Sequence, residues 1–126
     1  MDSIISFYKQ CVKKLLCQYE YLKDGDSQIE LIFDDERMRY MAVWVGWYKY
    51  KRIHQCAVHI DIVVGDSAVV GDSHRIIIQR NDTEDSIVAQ LVEMGISQNN
   101  ISLSFIHPIH GGYVEQEGDV VAAITS

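Results

Sequence analysis

The chain lacks most of the features that announce a common function. Its single proline, Pro108, and the absence of any low-complexity tract argue against a disordered or linker-rich protein. The three cysteines, Cys11, Cys17 and Cys56, are odd in number and form no CxxC pair. That excludes a disulfide framework and a zinc site of the paired-cysteine kind. No apolar run approaches the ~20 residues that span a bilayer. The first segment interleaves its apolar residues with Lys9, Lys13 and Lys14, unlike a secretory leader, so the expected setting is the reducing cytoplasm. Positive charge is scarce: 11 Lys and Arg stand against 18 Asp and Glu, for a formal net charge of −7. Phosphate neutralisation supplies most of the affinity of a dedicated DNA-binding domain, so stable, independent duplex binding is not expected. There is no GxSxG, no HExxH and no Cys–His constellation. The Val-Gly-Asp-Ser doublet at 64–67 and 70–73 lacks the spacing of a phosphate-binding glycine loop and reads as loop, with room for a small hairpin.

What remains is one domain, 1–126, large enough to bury a core without staples. Residues 3–22 read as an amphipathic helix with Ile4, Tyr8, Cys11, Val12, Leu15, Tyr19 and Leu22 on its apolar stripe. Its three lysines lie off that stripe, on a solvated face. Residues 28–33 alternate as a half-buried strand, 34–37 form a polar turn, and 38–48 resume as a strand. Both faces of that strand are apolar, which predicts cover on two sides. Gly46 within it marks a bulge or a close approach.

The longest strand is 52–62. Strict alternation places Cys56, Val58, Ile60 and Ile62 on one face, and Gln55, Ala57, His59 and Asp61 on the other. Residues 75–79 form another strand. A second helix opens near Asn81-Asp82-Thr83-Glu84, with Asp82 or Thr83 as N-cap and Glu84 and Asp85 at the positive end of its dipole. Gly95 follows as its C′ residue, with Ile96 packing back on Leu91. Residues 101–105 make a final strand, and 119–124 are a candidate edge strand. The order gives an α+β fold: an N-terminal helix, an antiparallel meander of about four strands, a second helix and a further strand, with the helices on one face of the sheet.

Three patterns carry candidate chemistry. His59 and Asp61 share a strand face about 7 Å apart along the chain. A metal-dependent hydrolase would need a third group there, and ordinary hydrogen bonding is the stronger reading. His107 and His110 resemble a ligand pair, but Pro108, Gly111 and Gly112 argue against the helix that would align them. No metal or cofactor is expected. Residues 47–52 interleave Trp47, Tyr48 and Tyr50 with Lys49, Lys51 and Arg52. A plain hairpin end is the first reading of this patch, a protein interface the second, and nucleic-acid binding through stacked bases and held phosphates the third.

Taken in order, several segments resemble the XisI family, the fdxN-element excision controlling factors of cyanobacteria. They are Phe33-Asp34-x-Glu36-Arg37-x-x-Tyr40, Val45-Gly46-Trp47 followed by Arg52, His59-Ile60-Asp61-Ile62, and Arg75-Ile76-Ile77-Ile78-Gln79 leading into Asn81-Asp82-Thr83-Glu84. Leu91-Val92-Glu93-Met94-Gly95-Ile96 and Phe105-x-His107-Pro108 complete the set. The chain departs from the pattern at 66–74, which reads as an insertion, at Ile77, where the pattern has Trp, and in the tail after Pro108. The resemblance implies a non-enzymatic accessory factor for developmental, site-specific DNA excision, in contact with an XisH-like protein. It brings no catalytic residue. It singles out Asp34, Glu36, Arg37, Trp47, His59, Asp61, Gln79 and Glu84 as candidates for partner contact. Tyr40 and Trp44 are expected on the sheet face away from the first helix, where they would support a homodimer.

Overall fold

The structure is a computed structural model describing residues 3–105. The elements run α1 (Ser3–Cys17), β1 (Lys23–Asp24), β2 (Asp26–Asp34), β3 (Arg39–Tyr48), β4 (Lys51–Val63), β5 (Arg75–Asn81), α2 (Ile87–Glu93) and β6 (Ile101–Leu103). The six strands lie side by side in sequence order. Neighbours are antiparallel from β1 to β5. The last pair, β5 and β6, is parallel, because α2 intervenes and carries the chain back to the same end. The fold is therefore α+β with a mixed, mostly antiparallel sheet.

Both helices pack on one face. α1 contributes Ile5, Tyr8, Cys11, Val12, Leu15 and Leu16 to the core, and α2 contributes Ile87, Val88 and Leu91. They meet Tyr40, Ala42, Val58, Ile60, Ile76 and Ile78 from the sheet in one cluster. α1 ends five residues earlier than its periodicity predicts. Beyond Cys17 the chain continues in turns, with Tyr19 N–H donating to Leu16 O and Leu22 N–H to Tyr19 O. The stripe rotates accordingly: Ile4 and Leu22 are exposed, and Ile5 and Leu16 take their places inside. Among the lysines, Lys13 is not simply solvated. Its Nζ lies 2.6 Å from Asp35 Oδ2 and 5.9 Å from the centre of the Phe33 ring.

The strand faces also differ from strict alternation. The β3–β4 register matches Ala42 with Val58 and Val43 with Cys56, which leaves Ala57 as the extra residue of a β-bulge. Val58, Ile60 and Ile62 stay on the helix side as expected. Upstream of the bulge the phase reverses, so Cys56 lies opposite Val43 on the other face while Ala57 joins the core. Tyr40 and Trp44 are likewise on the helix side. Tyr40 is fully buried, paired with Phe33 and Ile60, and Trp44 packs against the core. The expected placement of Tyr40 and Trp44 on the helix-free face is therefore corrected: Tyr40 is buried in the core, and Trp44 lies on the helix side, partly exposed. No described helix covers the second face of β3.

α2 starts later than expected. Ser86, not Asp82 or Thr83, is its N-cap and accepts from Ala89 N–H; 82–85 is a loop tied down by its own side chains. The C-terminal reading holds: Gly95 N–H donates to Val92 O and Ile96 N–H to Leu91 O, a Schellman arrangement with Gly95 at φ +107°. Residues 66–74 are turns with no strand, pinned by Asp66 N–H to Asp72 Oδ2. His107, His110 and 119–124 lie outside the described residues.

Gly46 shows why β2 and β3 can pair as tightly as they do. Its φ is +148°, and a Cβ there would sit 2.2 Å from Asp26 O and 2.5 Å from Ser27 Cα. Gly25, at φ +60°, has open space where a Cβ would stand, with nothing within 4 Å. Gly46→Ala should therefore cost about 3 kcal/mol or more, by clash plus backbone strain, and Gly25→Ala only about 1 kcal/mol. Urea denaturation measures both; equal losses would mean that the close approach at Gly46 has no energetic weight.

Candidate functional site

The helix-free face of the sheet is built by the side chains that β3 does not give to the core. Met41, Val43, Val45 and Trp47 form a column along it, and Val43 is itself buried among its neighbours. The register sets His59 beside Met41, Cys56 beside Val43, His54 beside Val45 and Arg52 beside Trp47. Ile32 flanks Met41 from β2, and Ile77 faces Asp61 from β5. The column is the apolar part of a mixed face: Gln28 and Glu30 of β2 lie beside Val45 and Val43, and Arg39, Arg52, His54 and Arg80 stand around it with the polar network described next.

That network gathers three residues from two strands. His59 Nε2 lies 2.8 Å from Asp61 Oδ1, and Gln79 Nε2 donates to Asp61 Oδ2 at 3.0 Å. Gln79 shares the face of Ile77, the partner of Asp61, and it is the bulge residue of β5: His59 matches Arg80 and Ile60 matches Ile78, with Gln79 between them. Ser104 Oγ donates to Gln79 Oε1. Both oxygens of Asp61 are thus engaged, one by an imidazole and one by an amide. The Ser104 proton points at an amide oxygen, which is not a base. A carboxylate accepts only, so His59 carries its proton on Nε2. Among the described residues no group of three His, Cys, Asp or Glu is arranged to hold a metal ion. Sequence reasoning misses Ser104; only the register of β6, which no local pattern reveals, brings it to Gln79.

The other candidates distribute as follows. Asp34 closes the β2–β3 turn, its Oδ1 accepting from the N–H groups of Glu36 (3.0 Å) and Arg37 (2.9 Å). The Arg37 N–H, then its guanidinium and the Glu36 N–H, hold the Asp34 carboxyl below its ordinary range. Asp34 pairs with Arg39, which pairs with Asp61, so this turn borders the network at one end of the face. Glu36 projects from the turn into solvent. Trp47 marks the opposite end. The Arg52 guanidinium lies 5.6 Å from its ring, and Lys49 lies 5.7 Å from the Tyr48 ring. Residues 47–52 form a plain hairpin end, with Tyr48 matched to Lys51 and Tyr50 almost wholly exposed. Glu84 stands apart, in the 82–85 loop on the helix side. Cys56 is half-buried; burial pushes its thiol pKa up, against a smaller lowering by Arg80, so it is a weak nucleophile at neutral pH.

The family model for XisI protein matches residues 1–116. The chain belongs to the XisI family. A solved XisI-like protein from Anabaena variabilis ATCC 29413 is 33% identical, with a TM-score of 0.74, over 86% of this chain and 94% of that one. The fdxN element excision controlling factor XisI of the same organism is 25% identical, with a TM-score of 0.68, over 83% of this chain and 95% of that one. No curated protein matches. In this XisI-family chain no helix among the described residues is long and apolar enough to cross a membrane.

The β2–β3 turn also fastens the first helix. Asp35 takes Lys13 Nζ on one oxygen and the hydroxyl of buried Tyr40 on the other, at 2.8 Å. These two donors, Lys13 first, lower the Asp35 pKa from its ordinary 3.8. A depressed carboxylate pKa gives stability that is present above the unfolded value and is lost as pH falls through the folded one. The advantage of the native chain over Asp35→Asn should therefore be constant near neutrality and shrink as pH drops below about 4. Urea midpoints across that range test it; a pH-independent difference would assign the effect of Asp35 to packing instead.

Proposed function

We propose that this XisI-family chain is a non-enzymatic accessory factor controlling the site-specific excision of a DNA element, and that it works by docking an XisH-like protein on its helix-free sheet face. The observation that carries the reading is that face itself: the apolar column Met41, Val43, Val45 and Trp47, with the His59–Asp61–Gln79 network fixed beside it. An apolar column bordered by charged and polar side chains, on a sheet face that no described helix covers, suits a partner-binding surface, and Trp and Met are enriched at such surfaces. Three of the family-motif positions meet there, and their hydrogen bonds hold one another in place.

Excision control is the role named for the 25% identical relative. The network is built for shape more than for turnover, since Asp61 has no free oxygen and Ser104 faces no base. The net charge of −7 favours a basic protein partner over a nucleic-acid phosphate backbone. The rival nucleic-acid reading of 47–52 is weakened because Arg52 and Lys49 already lie over two of the three aromatic rings.

Co-expression with an XisH-like protein should yield a complex that co-purifies through size exclusion. Met41→Lys and Val45→Lys place a positive charge in the docking column while leaving the helix-side core untouched. Each should weaken the complex at least about 30-fold, the scale of an interface hot spot, with the free chain still folded by circular dichroism. Wild-type affinity in both variants, or no complex at micromolar concentration, contradicts the proposal. A homodimer lost in the same variants would assign the face to self-association.

A further inference from the structure

On the helix side of the sheet, the turns after α1, the β4 bulge and the 82–85 loop surround a cleft of about 320 Å³. Trp44, Ile29, Ala57, Leu22 and Tyr19 line it, and Asp82, Glu84 and Asp85 bring three carboxylates to the same lining. Small-ligand pockets run from roughly 300 to 1,000 Å³, so this one suits a single side chain better than an extended cofactor.

The three carboxylates are not equivalent. Asp82 is approached by Arg80 at 3.6 Å and by Gln55 at 3.4 Å. Asp85 accepts the Tyr19 hydroxyl at 2.9 Å on one oxygen. Burial, and the neighbouring Asp85, push the Tyr19 pKa up to about 12, so Tyr19 remains a neutral donor at any ordinary pH. Glu84 makes no hydrogen bond or ion pair with a described residue, and the Trp44 indole N–H donates to none. The 82–85 loop is fixed in advance: Asp82 N–H donates to Ala57 O at 2.7 Å, and Asn81 Nδ2 to Asp85 O at 2.9 Å. A ligand would find the loop already in place, with little left to order.

We propose that this cleft receives an arginine side chain of a partner protein, its guanidinium stacked on Trp44 and paired with Glu84 and Asp85. A lining that combines an aromatic ring with carboxylates matches a planar, weakly hydrated cation that stacks and forks at once. A lysine ammonium is a compact, strongly hydrated charge and uses the aromatic ring less well. The net charge of −7 gives the chain the complementary sign. The cleft lies on the opposite side of the sheet from the docking column, so it is a second contact that stands or falls separately.

The test is an NMR titration of the full chain with N-acetyl-arginine methylamide, following the indole N–H signals of its two tryptophans. The lysine and the uncharged citrulline counterparts serve as comparisons. The Trp44 signal should shift saturably with the arginine compound while Trp47 stays still. Lysine should bind about ten-fold more weakly, and citrulline should not saturate. Glu84→Gln, an exposed substitution that leaves the core intact, should weaken arginine binding about ten-fold, one charge-assisted pair. An unsaturating Trp44 signal, equal binding of citrulline or lysine, or no effect of Glu84→Gln overturns the proposal. None of these results bears on docking at the helix-free face.

Discussion

The parallel pairing of β6 with β5 is the constraint from which the rest follows. A meander of antiparallel strands can be joined by tight hairpins and needs no helix. A parallel neighbour needs a crossover, and α2 supplies it. Once α2 crosses on one side, α1 joins it there, because the two pack against each other and share the cluster centred on Tyr40, Leu15 and Ile60. The described helices are thereby committed to one face of six strands, and no described helix covers the other.

Two β-bulges then decide what that other face presents. The bulge at Ala57 turns Cys56 and His54 outward beside Val43 and Val45, and sends Ala57 into the helix-side cleft. The bulge at Gln79 aims its amide at Asp61. Without them, strict alternation would put Cys56 in the core and would pair Gln79 rather than Arg80 with His59. Bulges re-aim side chains, and here they do so within one sheet on both of its faces. The same irregularities shape both proposed contacts, the docking column on one side and the acidic cleft on the other.

Much of this is legible in the chain alone. Helix–strand order, the α+β class, the close approach at Gly46 and the Schellman end at Gly95 follow from local chemistry that context does not override. The family resemblance, read from motif order, also stands. Alternation has period two only while a strand is regular, so it misassigns the face of Cys56, which the bulge at Ala57 revises. For Tyr40 and Trp44 the alternation holds, and the misplacement lies in which of the two faces meets the helices, which periodicity alone does not say. The late start of α2 arises where polar caps compete: Ser86 prevails over Asp82 because the 82–85 loop turns its side chains on itself. Ser104 is invisible for a different reason, since Gln79, the side chain it bonds, is on a neighbouring strand 25 residues away.

Cys56 offers the most direct view of the central claim, because it lies on the helix-free face beside Val43, while Cys17 is exposed on α1 and Cys11 is buried in the core. Alkylation with iodoacetamide, read residue by residue by mass spectrometry, can be timed for the free chain and for its complex with an XisH-like protein. The account predicts that the partner slows modification of Cys56 and leaves Cys17 unchanged. Equal Cys56 rates in the free chain and in a formed complex would show that the partner sits elsewhere.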